Sequence, residues 1–413
     1  MVDIQPFKAI RPNENFVSKI ASLPYDVVDR KEAEALVKDN PYSYLHIDRS
    51  EVDLPEVDDV YADAVYKKAS ENLKEFQEKD WLQKEATPKL YIYELTFQGR
   101  TQTGLVVTAS VEEYLNDTIK KHEFTRYEKE KDRIRHMDAT DATTSPIFLT
   151  YRGEATIDDV IQEWKDTHEP VYNFSSYYET GHKVWAINDQ ETNKKLQALF
   201  KEEVPALYIA DGHHRSASAA KVAQKRKEEG RLTKTGEYFL SVLFPIDDLH
   251  IYDYNRLVTA DVPEHFLELL ADDFDVTKID VDNRQPNEKH TITLYLDNQW
   301  IQLKAKDHII SDELVASLDA SIAQTYIFEK YFDIVDPRED NRLDFVGGIK
   351  GLDVLEEAVD AGKADFALAL YATEKADLLA VSDEGKTMPP KSTWFEPKLL
   401  SGLFVHDLDS KVG

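Results

Sequence analysis

Cysteine is absent from this chain of 413 residues, and long apolar runs are absent as well. Without cysteine there are no disulfide bonds, no thiolate nucleophile and no cysteine-bound zinc. No run of about eighteen apolar residues occurs, so no segment is predicted to span a membrane. The first residues, Met1 to Pro6, lack the basic start and the apolar stretch of a secretory signal peptide. We therefore expect a cytoplasmic location.

Basic residues are in short supply. The chain has 50 Lys and Arg against 79 Asp and Glu, a formal net charge of −29. Proteins that bind nucleic acid draw much of their affinity from basic side chains that neutralise phosphates. The densest basic stretch, residues 221–234, carries its own acidic residues and is typical of a solvated helix face. We expect no nucleic-acid partner, and the charge favours solubility.

The length and the alternation of patterns predict the fold class. A chain this long is expected to form two or three domains, and 42% hydrophobic with 31% charged residues is ordinary for a globular protein. Helical and strand patterns alternate without strict βαβ regularity, which predicts an α/β or α+β fold with mixed sheets. Helices are predicted at 31–39, 60–79, 127–138, 157–165, 188–201, 214–229 and 311–332. Strands are predicted at 90–97, 104–111, 147–151, 206–210, 238–244, 291–296, 299–305 and 366–372.

The strongest local pattern is the segment DGHHR at 211–215, between a predicted buried strand and a predicted helix. Such a junction presents backbone N–H groups and the positive end of the helix to an anion. Gly212 permits a tight turn and the close approach of a ligand. Arg215 lies in the first helical turn, where a cation opposes the helix dipole. This placement favours a role in gripping a phosphate or carboxylate through two bonds.

The other residues of this segment are open to several roles. His213 and His214 are adjacent, so they point in different directions, and one of them is a candidate acid, base or phosphate donor. Asp211 is a candidate helix cap, metal ligand or base. The plainer alternative is that Asp211 caps the helix while both histidines pack or face solvent. Zinc-binding histidines on a helix stand three or four residues apart, so this pair does not favour zinc.

A second polar segment precedes the motif. His122, Glu123 and Thr125 are followed closely by Asp132 and Arg133. Segments of this composition line binding pockets, and they also form ordinary charged surfaces.

Two loop-like segments lie near the ends of the chain. In MPPKST, at 388–393, two prolines fix the backbone and leave Lys391, Ser392 and Thr393 on a stiff loop. Loops held in this way often carry function. Near the start, Asp26 follows a turn made by a proline and an aromatic residue. The alternative for each segment is a turn or loop that has only a structural role.

Together these segments resemble a bacterial and archaeal family known as domain of unknown function 1015 (DUF1015). The matching pieces run from near the first residue to near the last, in one order. They are Arg11-Pro12, 23–27, Asn40-Pro41, His122-Glu123 with Thr125, Asp132-Arg133, 145–148, 211–215 and 388–393.

The resemblance implies a fold and a chemistry. The DGHHR core is similar to the helix start of the ParB and sulfiredoxin-like fold, which implies such a domain over 1–235 and a further α/β domain with the MPPKST loop over 236–413. An ADP-dependent free serine kinase shares that fold and a similar motif, and family members tend to be encoded beside enzymes of serine biosynthesis. The implied function is phosphoryl transfer involving phosphoserine, to ADP or to water.

The resemblance also implies roles for residues. Gly212 and Arg215, with Lys391, Ser392 and Thr393, are expected to bind phosphate. Asp211, His213, His214 and Glu123 are expected to be catalytic. Asp26, His122, Thr125, Asp132 and Arg133 are expected to bind the substrate, a small phosphorylated metabolite. ADP or ATP is the expected co-substrate, and Mg²⁺ is expected if a nucleotide takes part.

The sequence departs from the family pattern in two places, at 216–218 and at 141–144. No Walker A loop, kinase glycine loop or aspartyl-phosphatase motif is present. One rival interpretation is a non-catalytic regulator that senses a phosphorylated metabolite. Another is a DNA-binding ParB-like protein, which the acidity disfavours.

Overall fold

The structure is a computed structural model that describes residues 1–409. The chain divides into two compact units. Unit 1 comprises residues 1–121, 125–249 and the described residues from 397 on, and unit 2 comprises 122–124 and 250–396.

Nine of the helices lie in unit 1 and five in unit 2, within the described part of the chain. Those of unit 1 are α1 Val17–Ile20, α2 Arg30–Val37, α3 Leu45–Asp48, α4 Asp63–Glu78, α5 Val111–Leu115, α6 Tyr127–Thr140, α7 Ala155–Thr167, α8 Gln190–Glu203 and α9 His213–Glu228. Those of unit 2 are α10 Phe266–Leu270, α11 Asp319–Ala323, α12 Lys330–Phe332, α13 Asp353–Asp360 and α14 Lys375–Asp383. A π-helical segment, Gln324–Glu329, joins α11 to α12.

The strands follow the same division. Unit 1 holds β1 Ile4–Gln5, β2 Ile10–Pro12, β3 Leu82–Lys84, β4 Leu90–Phe97, β5 Arg100–Ser110, β6 Ile119–Lys120, β7 Ala142–Thr143, β8 Ile147–Tyr151, β9 Tyr172–Ser175, β10 Gly181–Ile187, β11 Leu207–Asp211 and β12 Tyr238–Pro245. Unit 2 holds β13 Ile251–Tyr252, β14 Tyr254–Val258, β15 Phe274–Ile279, β16 Thr291–Leu296, β17 Gln299–Ala305, β18 Leu343–Gly347, β19 Phe366–Leu370 and β20 Trp394–Phe395. The last strand, β21 His406–Asp407, belongs to unit 1.

Unit 1 is built on a nine-stranded mixed sheet in the order β6-β11-β8-β12-β5-β4-β10-β9, with β1 paired to β5. The pairs β11–β6 and β12–β8 are parallel, and the other pairs are antiparallel. Strands β8 and β11 are almost wholly buried, which explains their continuous apolar sequences. The sheet therefore places the end of β11 beside β8 within the core of unit 1.

Unit 2 is built on a six-stranded antiparallel sheet in the order β15-β17-β16-β19-β14-β18. The predicted hairpin of β16 and β17 is present, with Leu296 opposite Gln299. One core cluster, which includes Phe266, Leu294 and Phe366, packs between this sheet and the helical segment from Asp319. Helices and mixed sheets confirm the predicted α/β class.

The structure differs from the predicted helix at 311–332. The helix begins only at Asp319, and its middle turn is π-helical. Side chains take up the backbone groups that a longer helix would use: the Ser311 hydroxyl accepts from the Glu313 N–H (3.0 Å), and the Ser321 hydroxyl donates to the Val315 carbonyl (2.6 Å). Local bonds of this kind compete with the helix.

The boundary between units also differs from the expected change after residue 235. Strand β12 is hydrogen-bonded between β5 and β8, so the chain stays in unit 1 until residue 249. The chain then returns to unit 1 from residue 397, where Ser401 pairs with Ser22 and Val405 with Ile10. Neither the boundary at residue 249 nor the return at residue 397 is marked by a local change in composition.

Candidate active site

The DGHHR segment forms a strand–glycine–helix junction in unit 1. Asp211 is the last residue of β11, and α9 begins at His213. Gly212 occupies the N-cap position with φ +102° and ψ 29°, a conformation that L side chains rarely adopt. The N-cap residue makes no side-chain cap hydrogen bond. Because the N-cap residue is a glycine, the start of α9 is a candidate anion site, and a capping role for Asp211 stays a prediction.

Arg215 folds back onto this junction. Its side chain is buried, with 6% of the residue exposed, and a Cβ placed on Gly212 would lie 3.2 Å from its Nε. Nη1 donates to the Pro146 carbonyl, and Nη2 lies 3.5 Å from Oδ2 of Asp211. Within residues 1–409, Nε has no hydrogen-bond partner. One face of a buried cation thus retains a donor at the helix start.

The surroundings of Arg215 keep it charged. Burial lowers the pKa of its guanidinium, but Asp26, Asp211, Tyr25 and Asp48 together outweigh burial and raise the pKa above its ordinary value. Asp26, which is exposed, is the largest of these favourable influences. The predicted residue Asp26 therefore lies close to Arg215.

Lys398 is a site residue that the sequence did not reveal. Its Nζ lies 3.6 Å from Oδ2 of Asp211, and only 10% of its side chain is exposed. The Asp211 carboxylate is thus shared by two cations, Arg215 and Lys398. No pattern in the sequence singled out Lys398, which follows Pro397.

The two histidines have different surroundings. His213 is buried, and burial lowers the pKa of its imidazole to about 3, so it is neutral at pH 7. His214 is half-buried, and its Nε2 accepts a hydrogen bond from the Arg126 N–H at 3.0 Å. A neutral imidazole at 213 can donate through an N–H group, but it is not an imidazolium acid.

The residues predicted at 132 and 133 lie in the same unit. The Arg133 guanidinium stands 3.9 Å from the centre of the Tyr25 ring and 2.8 Å from the Asp132 carboxylate. Asp132 also accepts from the Tyr66 hydroxyl at 2.8 Å. Arg133 is therefore a buried, paired cation beside the Tyr25–Asp26 turn.

A small cavity separates the two arginines. Its volume is about 20 Å³, which is room for about one water. Two of its lining residues, Thr144 and Ser145, donate hydrogen bonds to Asp48 at 2.8 Å and 2.6 Å. Asp48 and its two hydroxyl partners were not predicted as site residues. The lining residues include Tyr25, Arg133, His136, Thr144, Ser145 and Arg215.

The segment at 122–125 is divided between the units. His122 and Glu123 group with unit 2, where His122 Nε2 lies 3.4 Å from Oγ1 of Thr393. Thr125 belongs to unit 1 and donates its hydroxyl hydrogen to the Glu130 carboxylate. Thr125 therefore belongs to a different unit from His122 and Glu123.

The MPPKST loop also lies in unit 2. Lys391 is exposed and Ser392 is buried, and the Ser392 hydroxyl donates to the Pro389 carbonyl at 2.7 Å. The Ser392 hydroxyl hydrogen is therefore engaged within the loop.

The serines at 216 and 218, where the sequence departs from the family pattern, have a structural role in unit 1. Ser216 and Ser218 are fully buried on α9. The Ser216 hydroxyl donates to the Gly212 and His213 carbonyls at 3.1 Å, and the Ser218 hydroxyl donates to the Glu130 carbonyl at 3.1 Å. These bonds tie the first turns of α9 to the junction and to α6.

Two searches of the described residues concern metals and membranes. Among residues 1–409, no three His, Asp or Glu side chains form a group able to hold a metal ion. No helix in the same range combines the length and the apolar character needed to cross a bilayer.

Comparison with known proteins gives the family. The family model described as a protein of unknown function, DUF1015, matches residues 4–321. The chain belongs to the DUF1015 family. No curated protein matches this DUF1015 member.

Several solved structures are similar to this DUF1015 chain. A free serine kinase in complex with AMP is 14% identical, with a TM-score of 0.37 and coverage of 73% of this chain and 91% of that one. A conserved hypothetical protein from Pyrococcus furiosus is 12% identical, with a TM-score of 0.37 and coverage of 73% and 94%. SbnI from Staphylococcus aureus, with a C-terminal truncation, is 12% identical, with a TM-score of 0.41 and coverage of 74% and 89%. Likenesses at this level do not establish a shared activity.

Proposed function

We propose that unit 1 carries a phosphoryl-transfer site, and that its substrate pair is O-phosphoserine and serine. The observation that supports it is the glycine-initiated start of α9, where the buried Arg215 folds against Gly212 and keeps an unpartnered Nε among the described residues. Phosphoryl transfer requires mainly positioning and the neutralisation of spreading charge, which backbone amides and a guanidinium supply.

Each charged residue has a role in this proposal. Arg215 and the helix start hold the transferring phosphoryl group. Asp211 orients Arg215 and Lys398, because both cations flank its carboxylate. Neutral His213 donates an N–H to a phosphate oxygen, and exposed Asp26 receives the amino group of serine.

The acceptor of the phosphoryl group decides which product forms. With ADP, the bond between phosphorus and the serine oxygen breaks, a β-phosphate oxygen forms the new bond, and the serine oxygen takes a proton. With water as acceptor, the same bond breaks, the water oxygen forms the new bond to phosphorus, the serine oxygen takes a proton from the water, and inorganic phosphate is released. The choice of phosphoserine rests on the motif resemblance rather than on the geometry. Glu123, His122, Thr125, Asp132 and Arg133 stay predictions as catalytic or substrate-binding groups.

The test incubates the purified full chain with O-phosphoserine and Mg²⁺, with and without ADP, and follows ATP and free phosphate separately. ATP that forms only with ADP identifies a reversible serine kinase, and phosphate released without ADP identifies a phosphatase. If neither product forms while O-phosphoserine still raises the melting temperature, the proposal of catalysis fails and the regulator remains.

A further inference from the structure

Asp48 is a buried carboxylate of unit 1 that the proposed mechanism leaves without a role. It is the last residue of α3, and 2% of the residue is exposed. Its Oδ1 accepts from the Thr144 hydroxyl at 2.8 Å, and its Oδ2 accepts from the Ser145 hydroxyl at 2.6 Å. Since the Ser145 hydrogen is given to Asp48, the Ser401 hydroxyl, 2.7 Å away, donates to the Ser145 oxygen. Both oxygens of Asp48 therefore bind the hydroxyls of two consecutive residues.

The charge of Asp48 also acts on two buried arginines. A carboxylate taken out of water is costly unless cations lie near it. Burial lowers the pKa values of Arg133 and Arg215, and Asp48 is one of the groups that raise both above the ordinary value. Each arginine has another carboxylate in direct contact, Asp132 and Asp211 respectively. A role as counter-charge alone thus does not explain why Asp48 binds two consecutive hydroxyls.

The hydroxyl partners of Asp48 lie directly before the residue that holds Arg215. Pro146 follows Ser145, and its carbonyl accepts from Nη1 of Arg215. The proline ring fixes its own φ and restricts the backbone of Ser145, and β8 begins at Ile147. The direction of the Pro146 carbonyl is therefore set on one side by β8 and on the other by the hydroxyl bonds to Asp48.

The other contacts of Arg215 leave its guanidinium room to move. Nη2 lies 3.5 Å from Oδ2 of Asp211, which is long for a hydrogen bond. The cavity of about 20 Å³ borders Arg215, so packing does not hold the guanidinium on that side. Within residues 1–409, Nε has no hydrogen-bond partner, and it lies close to Gly212. The bond to the Pro146 carbonyl is therefore what keeps Nε at the start of α9.

We propose that Asp48 is a positioning residue of the site at the start of α9. The hydroxyls of Thr144 and Ser145, which bind Asp48, fix the Pro146 carbonyl. That carbonyl keeps Arg215 in place, with its Nε directed at the phosphoryl group. The inference rests on the function proposed above, but it concerns the placement of the guanidinium and not the identity of the substrate.

The deciding variant is Thr144→Val, which removes one hydroxyl bond to Asp48 and leaves the charge of Asp48 in place. The matched control is Thr150→Val on β8, because the Thr150 hydroxyl is also buried and donates to the Phe244 carbonyl at 2.8 Å. Both variants should lose stability, so the melting temperature does not distinguish them. We expect kcat/KM for O-phosphoserine to fall about tenfold in Thr144→Val and to change by less than about twofold in Thr150→Val. Thr144→Ser, which retains the hydroxyl, should recover most of the lost turnover.

Asp48 itself is tested by combining variants. Asp48→Asn keeps the size of the side chain and removes its charge, and we expect kcat/KM to fall about tenfold or more. Adding Thr144→Val to Asp48→Asn should lower kcat/KM no further, because the two groups act through one hydrogen bond. If Asp48→Asn does not fold, Ser145→Ala, which removes the other hydroxyl partner, replaces it in the comparison. Losses that multiply as for independent sites would overturn the inference.

The binding of inorganic phosphate separates failure of this inference from failure of the proposed function. Titration calorimetry of the full chain should show that phosphate binds several-fold more weakly to Thr144→Val than to wild type or Thr150→Val. If wild type binds phosphate but does not turn over O-phosphoserine, the proposed catalysis fails and this affinity comparison decides the inference. Wild-type affinity and kcat/KM in folded Thr144→Val would overturn the inference alone. A wild-type chain that neither binds phosphate nor turns over O-phosphoserine would overturn both.

Discussion

Gly212 is the residue on which the geometry of the proposed site depends. Its backbone has a φ of +102°, and a Cβ there would meet Nε of Arg215 at 3.2 Å. The backbone conformation disfavours a side chain at this position, and an added Cβ would push the Arg215 guanidinium aside by a few tenths of an ångström. The glycine lets the guanidinium lie directly against the start of α9.

The residue-scale prediction concerns Gly212→Ala. Strain and the contact with Arg215 should destabilise the chain by ~1–3 kcal/mol and displace the guanidinium, so turnover of O-phosphoserine should fall strongly. The matched control is Gly230→Ala, at a φ of +70° with nothing within 4 Å of the added Cβ. Melting temperature and kcat/KM are measured for both. Equal turnover in the two variants would contradict a reacting group at Gly212.

Residues of the site differed in how far the sequence revealed them. The motif at 211–215 was found because strand, glycine and helix patterns meet there. Lys398 and Asp48 were not found, because each reaches its partners across a large separation in the chain and neither belongs to a periodic pattern.

At the scale of elements, the strands buried on both faces were the most predictable. β8 and β11 are continuous apolar runs because no residue faces water. In contrast, β15 has mostly exposed or half-exposed residues, and no strand was predicted there. The helix at 311–332 was overextended, because periodicity does not register the side-chain bonds of Ser311 and Ser321.

The start of α11 carries a titratable group that gives the second prediction. Asp319 is buried, and burial raises the pKa of its carboxyl to about 7, with backbone N–H groups and Lys289 opposing and Asp377 adding to the rise. A carboxyl in an unfolded chain titrates near ~3.9. The stability that protonated Asp319 contributes is therefore full below about pH 4 and is lost as the pH rises through about 7.

Asp319→Asn should remove this pH dependence. Relative to wild type, the variant should gain stability as the pH rises from about 5 to 8, because no charge has to be buried. Denaturant unfolding at several pH values measures the difference, and exposed Asp312→Asn serves as the control. A difference between Asp319→Asn and wild type that stays constant across this range would count against the argument.

At the scale of the whole molecule, the composition of the chain predicted its fold class but did not predict how the chain divides into two units. The charge of −29 and the alternating patterns were enough to predict a globular α/β chain. The division into units was not readable, because β12 completes the sheet of unit 1 and the chain returns there from residue 397. Such long-range pairing has no local signature.

The central claim is that Arg215 holds the transferring phosphoryl group, and one comparison tests it most directly. Arg215→Ala is compared with Lys225→Ala, which removes a half-exposed cation from the same helix, in turnover of O-phosphoserine by the full chain. We predict a loss of about 10²- to 10³-fold in kcat/KM for Arg215→Ala, and a change within about twofold for Lys225→Ala. Circular dichroism establishes that both chains are folded. Wild-type turnover by folded Arg215→Ala would contradict the account.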